Sequence, residues 1–271
     1  MTTGTPATEP SAFARELLRW RTARRVSQLE LASRAGTTQR YVSFMERGRS
    51  LPGREIVIRL AESLELTLRE RNALLLAAGY APAFTESPLD AVALKPVREA
   101  LDGILEGHLP YPAVVAGPRG ELVAANAAFD VLTEGAAPEL LAPPVNVLRL
   151  ALHPRGMGPR VVNLDVWGRH IVESLRARAL RSPDPLLDAL AGELAGYVPA
   201  SEPAADYVGF AVPLRLRCAE GELRLLTTLT SFATAVDVTL AELHLEAFLP
   251  ADRETASILR DRAAARGARR G

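Results

Sequence analysis

The chain has almost no cysteine and almost no lysine. Cys218 is the only cysteine in 271 residues, so no intrachain disulfide and no cysteine-based zinc site can form, and a reducing compartment is compatible. The four histidines, His108, His153, His170 and His244, are scattered. None has the H-x-x-x-H or H-E-x-x-H spacing that puts two imidazoles on one helix turn for a metal. G-x-S-x-G and G-x-x-x-x-G-K are both absent, which removes the nucleophile elbow and the phosphate-cradling loop. A Cys218 nucleophile paired with one histidine stays open on these grounds. Cys218 lies in a strand-like pattern, however, where a small buried or edge residue is the ordinary reading, so the expectation is that the protein is no enzyme. No apolar run approaches the length needed to span a bilayer, and the first ten residues, MTTGTPATEP, lack the basic start and apolar core of a signal peptide. The expected location is the cytoplasm, with no membrane partner.

Lys95 is the only lysine, and positive charge is otherwise carried by arginine. With abundant alanine, this is an association of GC-rich bacterial genomes. Lys and Arg together number 32, as do Asp and Glu, which excludes a polybasic protein. The distribution is uneven. Residues 1–80 hold thirteen arginines against eight acidic residues, so a modestly basic module precedes a more acidic remainder. Apolar residues at 48% and charged residues at 24% are ordinary for a globular chain, and the length allows two domains with a core each.

Residues 1–10 are polar, contain two prolines and are expected to be disordered. Ser11 then caps a helix with Phe13, Leu17, Leu18 and Trp20 inward, and with Arg15, Arg19, Arg21, Arg24 and Arg25 toward solvent or phosphate. Residues 27–49, SQLELASRAGTTQRYVSFMERGR, read as two short helices around a tight turn. Ser27 with Glu30 predicts a capping box, Leu29, Leu31, Ala32 and Ala35 face inward, and Gly36 stops the first helix. Thr37 or Thr38 caps the second, which buries Tyr41, Val42 and Met45 and ends at Gly48. Two further helices, REIVIRLAESLEL and TLRERNALLLAAGY, close a five-helix module over 11–79, and the proline-bearing stretch 80–90 reads as a linker.

The pattern Gln28, Leu31, Ala32, Gly36, Tyr41, Val42, Ser43, Glu46, Gly48, Arg49 and Pro52 resembles the Cro/repressor (xenobiotic-response-element) helix-turn-helix family. The resemblance implies a double-stranded DNA operator as partner, with residues 38–47 as the recognition helix in the major groove. Thr38, Gln39, Arg40, Ser43 and Phe44 occupy the positions that reach bases, and their chemistry fits, since glutamine can pair with adenine and arginine with guanine. Gln28, Arg47 and Arg49 would contact phosphate, which positions the module without reading sequence.

Residues 91–251 read as a second domain. An amphipathic helix carries Leu94, Val97, Leu101, Ile104 and Leu105 on one stripe. A β-hairpin turns at 117–120, several helices follow, and strand-like runs cover 212–218, 222–230 and 241–249. Strand, strand, helices and three strands is the order of a PAS-like domain, an antiparallel sheet with helices, so the whole is α+β. Residues 252–271, with six arginines and little apolar surface, read as a basic tail, at most a frayed helix. The runs LVAANAAFDVL, PPVNVLRLALHPRGMGPRVVNLDVWGRHIVESLRARAL and AVDVTLAELHLEAFLPAD, in this order, resemble the ligand-binding domain of MmyB-like transcription regulators. That resemblance implies a PAS-like fold able to hold a long-chain fatty acid, with no other cofactor.

Polar residues converging on an apolar pocket are sought in such a domain. Asn126, Asn146, Arg149, His153 and Asn163 are the candidates, because Asn146, Arg149 and His153 share one helical face. Arg160 and His170 are lesser ones. Helix capping by each asparagine competes with that role, and Trp167 reads as core. The expected protein is a homodimeric transcription regulator, since two-fold symmetry matches a palindromic operator. The rivals are a second domain that only dimerises and an acyl-processing enzyme targeted to DNA.

Overall fold

The computed structural model describes residues 11–200, 212–232 and 235–268, and the chain divides into two compact units. Residues 1–10, expected to be disordered, lie outside the described residues. The first unit begins with five helices, α1 (Ala12–Ala23), α2 (Gln28–Arg34), α3 (Gln39–Glu46), α4 (Arg54–Ser63) and α5 (Leu68–Ala77). Phe13, Leu17 and Trp20 of α1, Leu31 and Ala32 of α2, Val42 and Met45 of α3, Val57 and Leu60 of α4, and Leu74 and Leu75 of α5 form one core. Leu18 and Leu29, expected inward, are exposed. Each stands off the stripe that its neighbours at three- and four-residue spacing bury.

Local signals set the helix ends. Ser27 Oγ accepts from the Glu30 amide at 3.1 Å, and Thr38 Oγ1 accepts from the Tyr41 amide at 3.2 Å. Gly36 and Gly48 adopt φ of +62° and +68°, the left-handed region that a Cβ disfavours. The reciprocal half of the expected box at Ser27 is missing, because the Glu30 carboxylate pairs with Arg34 one turn on. The complete capping box is at the start of α5, between Thr67 and Glu70.

The second unit opens with α6 (Lys95–Gly107), β1 (Ala113–Ala116) and β2 (Leu122–Ala125). Short helices α7 (Asp130–Thr133), α8 (Pro138–Leu141) and α9 (Val147–Leu152) lead to α10 (Leu164–Arg181) and α11 (Pro185–Ala195). Then follow β3 (Leu214–Cys218), β4 (Gly221–Ser231), β5 (His244–Pro250) and α13 (Arg253–Ala268), while the helical turn α12 (Val238–Glu242) between β4 and β5 falls almost wholly in the first unit. The five strands are antiparallel in the order β2-β1-β5-β4-β3. Val114 pairs opposite Glu246 and Thr227 opposite Phe248, so alternate residues of these central strands share one face. Leu152 of α9, Trp167 and Leu175 of α10, and Leu190 and Leu194 of α11 pack with Leu216, Leu225 and Phe248 in the core.

Three features differ from the sequence reading. The run expected as a strand from 241 begins as the helical turn α12, and β5 starts at His244. The stretch read as a basic tail or frayed helix contains a regular helix, α13. Its Thr255 and Leu259 are buried, Thr255 Oγ1 accepts from the Arg224 amide, and Arg262 and Arg266 pair with Glu134, Glu220 and Asp130. The chain between β4 and β5 returns to the first unit, where buried Asp237 accepts from Thr85 Oγ1 at 3.0 Å and the Ser87 amide at 3.1 Å.

Candidate functional site

In the first unit, the buried side of α3 presents Val42, Met45 and Glu46 to the core, which leaves Gln39, Arg40, Ser43, Phe44 and Arg47 on the opposite face. Thr38, Gln39 and Arg40, at the first turn, are exposed, and Ser43 and Phe44 one turn later are half-buried. The Arg40 guanidinium lies 5.2 Å from the Phe44 ring centroid, a cation–π distance that orients the arginine beside the helix N-terminus. Arg47 and Arg49 are exposed on either side of the Gly48 turn.

Gln28 has an internal partner. Its Nε2 donates to Glu46 Oε2 at 2.5 Å, while Arg21 donates to both Glu46 oxygens at 2.5 and 3.0 Å and to the Val26 carbonyl at 2.9 Å. The Glu46 carboxylate, its side chain only 4% exposed, is thus held by three charge-assisted hydrogen bonds. They tie α1 and the start of α2 to the end of α3. Arg21, expected toward solvent, is therefore a positioning residue, and so is Arg24, which pairs with Glu70 and the Leu64 carbonyl.

In the second unit, a cavity of about 340 Å³ lies between α9 and α10 and the facing strands. Val114, Phe129, Leu150, Trp167 and Phe248 make its apolar wall. His170, Ser174 and Arg178, four residues apart along α10, contribute a polar line, with His244 and Glu246 opposite on β5. His170 and Ser174 are exposed, so this side is the rim. His244 Nε2 is 3.3 Å from Glu246 Oε1. A more open cleft of about 450 Å³ lies beside α13, but its Arg266 is already paired with Asp130.

The five residues singled out as ligand candidates stand elsewhere, and none lines this cavity. Asn126 is buried and binds four backbone groups, the amides of Ala113 and Ala128 and the carbonyls of Leu105 and Tyr111. Asn146 caps α9 through the Leu148 and Arg149 amides and donates to the Arg119 carbonyl. Asn163 does not cap α10. It fastens β3 instead, donating to the Pro213 carbonyl and accepting from the Arg215 amide. Arg149 makes a bidentate pair with Glu193, both bonds 2.8 Å, which holds the Glu193 carboxyl below the usual carboxylate range. His153 packs edge-on against Tyr197 and accepts from the Arg155 amide. Arg160 is paired with Glu134. Of the lesser candidates only His170 reaches the cavity, and Trp167, read as core, is both buried and part of its wall. Ser174, Arg178, His244 and Glu246 were missed. The regular four-residue spacing on α10 was the signal available, and in sequence it resembles a solvated helix face.

Burial pushes the Cys218 thiol up from its ordinary value, away from the thiolate that a nucleophile needs. No cluster of metal-ligating side chains occurs among the described residues. Among them, too, no helix is long and apolar enough to cross a membrane.

A helix-turn-helix with an exposed second helix, followed by an antiparallel sheet and helices around an apolar cavity, is the build of a DNA-binding transcription regulator with a ligand-binding domain. A helix-turn-helix family model matches residues 17–71, and the model of the MmyB-like transcription regulator ligand binding domain matches residues 97–261. The chain belongs to the MmyB-like transcription regulators. No curated protein matches it. One solved structure, of an RNA-binding Light-Oxygen-Voltage receptor, aligns at 17% identity over 99% of this chain and 69% of that one, with a TM-score of 0.30, a likeness too distant to carry an argument.

Proposed function

We propose that the protein is a cytoplasmic homodimer that binds an operator through Gln39, Arg40, Ser43 and Phe44, with Thr38 at the helix start and Arg47 and Arg49 on phosphate. A ligand with a long apolar chain, of the fatty-acid class, fills the cavity between α9, α10 and the sheet and shifts operator affinity. The observation that supports this reading most is the cavity itself, since a mostly apolar space of this size bordered by a few polar groups has the character of a small-molecule pocket. The ligand can shift operator affinity only by its own difference in affinity for the two states. One DNA-reading helix contacts a single half-site, so a two-fold dimer gains affinity from a palindrome. Native mass spectrometry of the full chain with a tenfold excess of palmitate tests this. A dimer carrying one palmitate per protomer is expected. A monomer, or a dimer that takes up none, contradicts the proposal.

A further inference from the structure

The stretch that follows α5 is bound along its length. Asn72 of α5 donates through Nδ2 to the Phe84 carbonyl at 2.8 Å, and its Oδ1 accepts from the Ala83 and Phe84 amides at 2.9 and 3.1 Å. The Tyr80 hydroxyl donates to the Pro52 carbonyl at 2.9 Å, in the connection between α3 and α4. Residues 80–87 therefore form a strap within the first unit, fastened to α5 and to the turn behind α3.

The same strap is gripped by the connection between β4 and β5, which belongs to the first unit up to Ala241. Asp237, 7% exposed, accepts from Thr85 Oγ1 at 3.0 Å and the Ser87 amide at 3.1 Å on Oδ2. Its Oδ1 accepts from the Thr239 and Leu240 amides at 2.9 and 3.4 Å, and the Val238 amide donates to the Thr85 carbonyl at 2.8 Å. One buried carboxylate thus caps α12 and holds residues 85–87 at once. Beyond α12, buried Leu243 alone precedes His244 of β5. His244 lines the cavity, as does Leu229 on the β4 side of the connection. We propose that α12 and its cap Asp237 are the coupler through which cavity occupancy reaches the DNA-binding unit. A ligand that displaces His244 carries α12 with it, and Asp237 passes the displacement to residues 83–87 and on through Asn72 and Tyr80 to α5 and Pro52. A contiguous chain of bonded groups is a physical route for coupling, and its test is the loss of coupling when one bond is cut. This inference rests on the reading of the cavity as a ligand site that controls operator binding.

The test reads the ratio of operator dissociation constants with and without saturating palmitate, on a duplex selected by the full chain, and measures palmitate affinity separately by calorimetry. Asp237→Asn keeps Oδ1 to cap α12 but sets an amide NH2, a donor, against the Ser87 amide. The ratio is expected to be at least about fivefold in the parent chain and to fall below about twofold in Asp237→Asn, with palmitate affinity within about twofold of the parent's. Thr85→Val, which cuts one bond at an exposed position, should lower the ratio in part, and it carries the test if Asp237→Asn does not fold. Lost coupling at retained palmitate affinity is a result that mere structural support would not give. The parent's ratio retained in both variants overturns the coupler while leaving ligand control of the operator in place. A ratio that falls only together with palmitate affinity makes Asp237 a structural residue and overturns the coupler too. A parent chain whose operator affinity is indifferent to palmitate overturns the coupling reading and this inference with it.

Discussion

Replacing Arg21 by alanine should destabilise the DNA-binding unit far more than any exposed ion pair on it. The Glu46 carboxylate, with 4% of its side chain exposed, would keep only the Gln28 amide and lose both bonds from Arg21. Removing one partner of a buried pair costs about 3–5 kcal/mol, since the remaining charge stays desolvated, and the retained Gln28 bond places Arg21→Ala at the lower end, about 3 kcal/mol. The pair Arg34 and Glu30 also approaches to 2.5 Å, but its side chains are 44% and 46% exposed, so Arg34→Ala should cost less than about 1 kcal/mol. Arg21→Met with Glu46→Leu removes both charges together and should recover most of the loss, because an apolar pair of similar volume often matches a buried ion pair. Trp20, buried in α1, reports unfolding of this unit in a Trp167→Phe background. Urea midpoints compared at constant m then give the stability differences. A loss below about 1 kcal/mol for Arg21→Ala, or a double variant no better than the single one, would refute the reasoning.

Three other outcomes follow from the same geometry. Asn126→Ala orphans two buried amides and two carbonyls and should cost about 2–4 kcal/mol in urea unfolding followed by Trp167 emission; a cost under about 1 kcal/mol contradicts the anchoring role. Burial raises the Asp237 pKa, but hydrogen bonds from Ser87 and Thr85 outweigh it and leave the net value lowered. A lowered folded-state value means that the contribution is present above the unfolded carboxyl pKa of about 3.9 and lost as pH falls through the folded one; the stability difference between the parent and Asp237→Asn should therefore shrink below that pH in urea titrations, and a constant difference counts against it. Arg40→Ala should relax operator specificity at one base position, while Arg49→Ala should weaken all sequences alike and lower the salt slope by about one. Uniform losses for both would displace α3 as the reading helix.

The helix-turn-helix was legible because its signals are local. Ser27 and Thr38 cap the helices they precede, and Gly36 and Gly48 occupy the positive-φ stops that the pattern demanded. The α+β class of the second domain was legible for the same reason, from alternating runs and the turn at Gly120, which has φ +83°. The cavity was not, because its polar groups come from α10 and β5, about seventy residues apart in the chain, and either set alone looks like a surface. Arg149 looked available because Glu193, its partner, is 44 residues away. Capping by Asn126 and Asn146 was readable from position, whereas the grip of Asn163 on β3 is a contact across 50 residues. The tail read as no more than a frayed helix because α13 buries few apolar side chains and is held partly through Arg262 and Arg266.

A helix-turn-helix and a ligand-binding domain share one chain, and an operator titration tests their proposed coupling. A duplex selected from a random library by the full chain is titrated by fluorescence anisotropy with and without saturating palmitate, at one fixed salt concentration. A dissociation constant that changes at least about fivefold, the lower range of allosteric coupling, is expected. The same dissociation constant with and without palmitate, in a protein shown to carry it, would contradict the coupling.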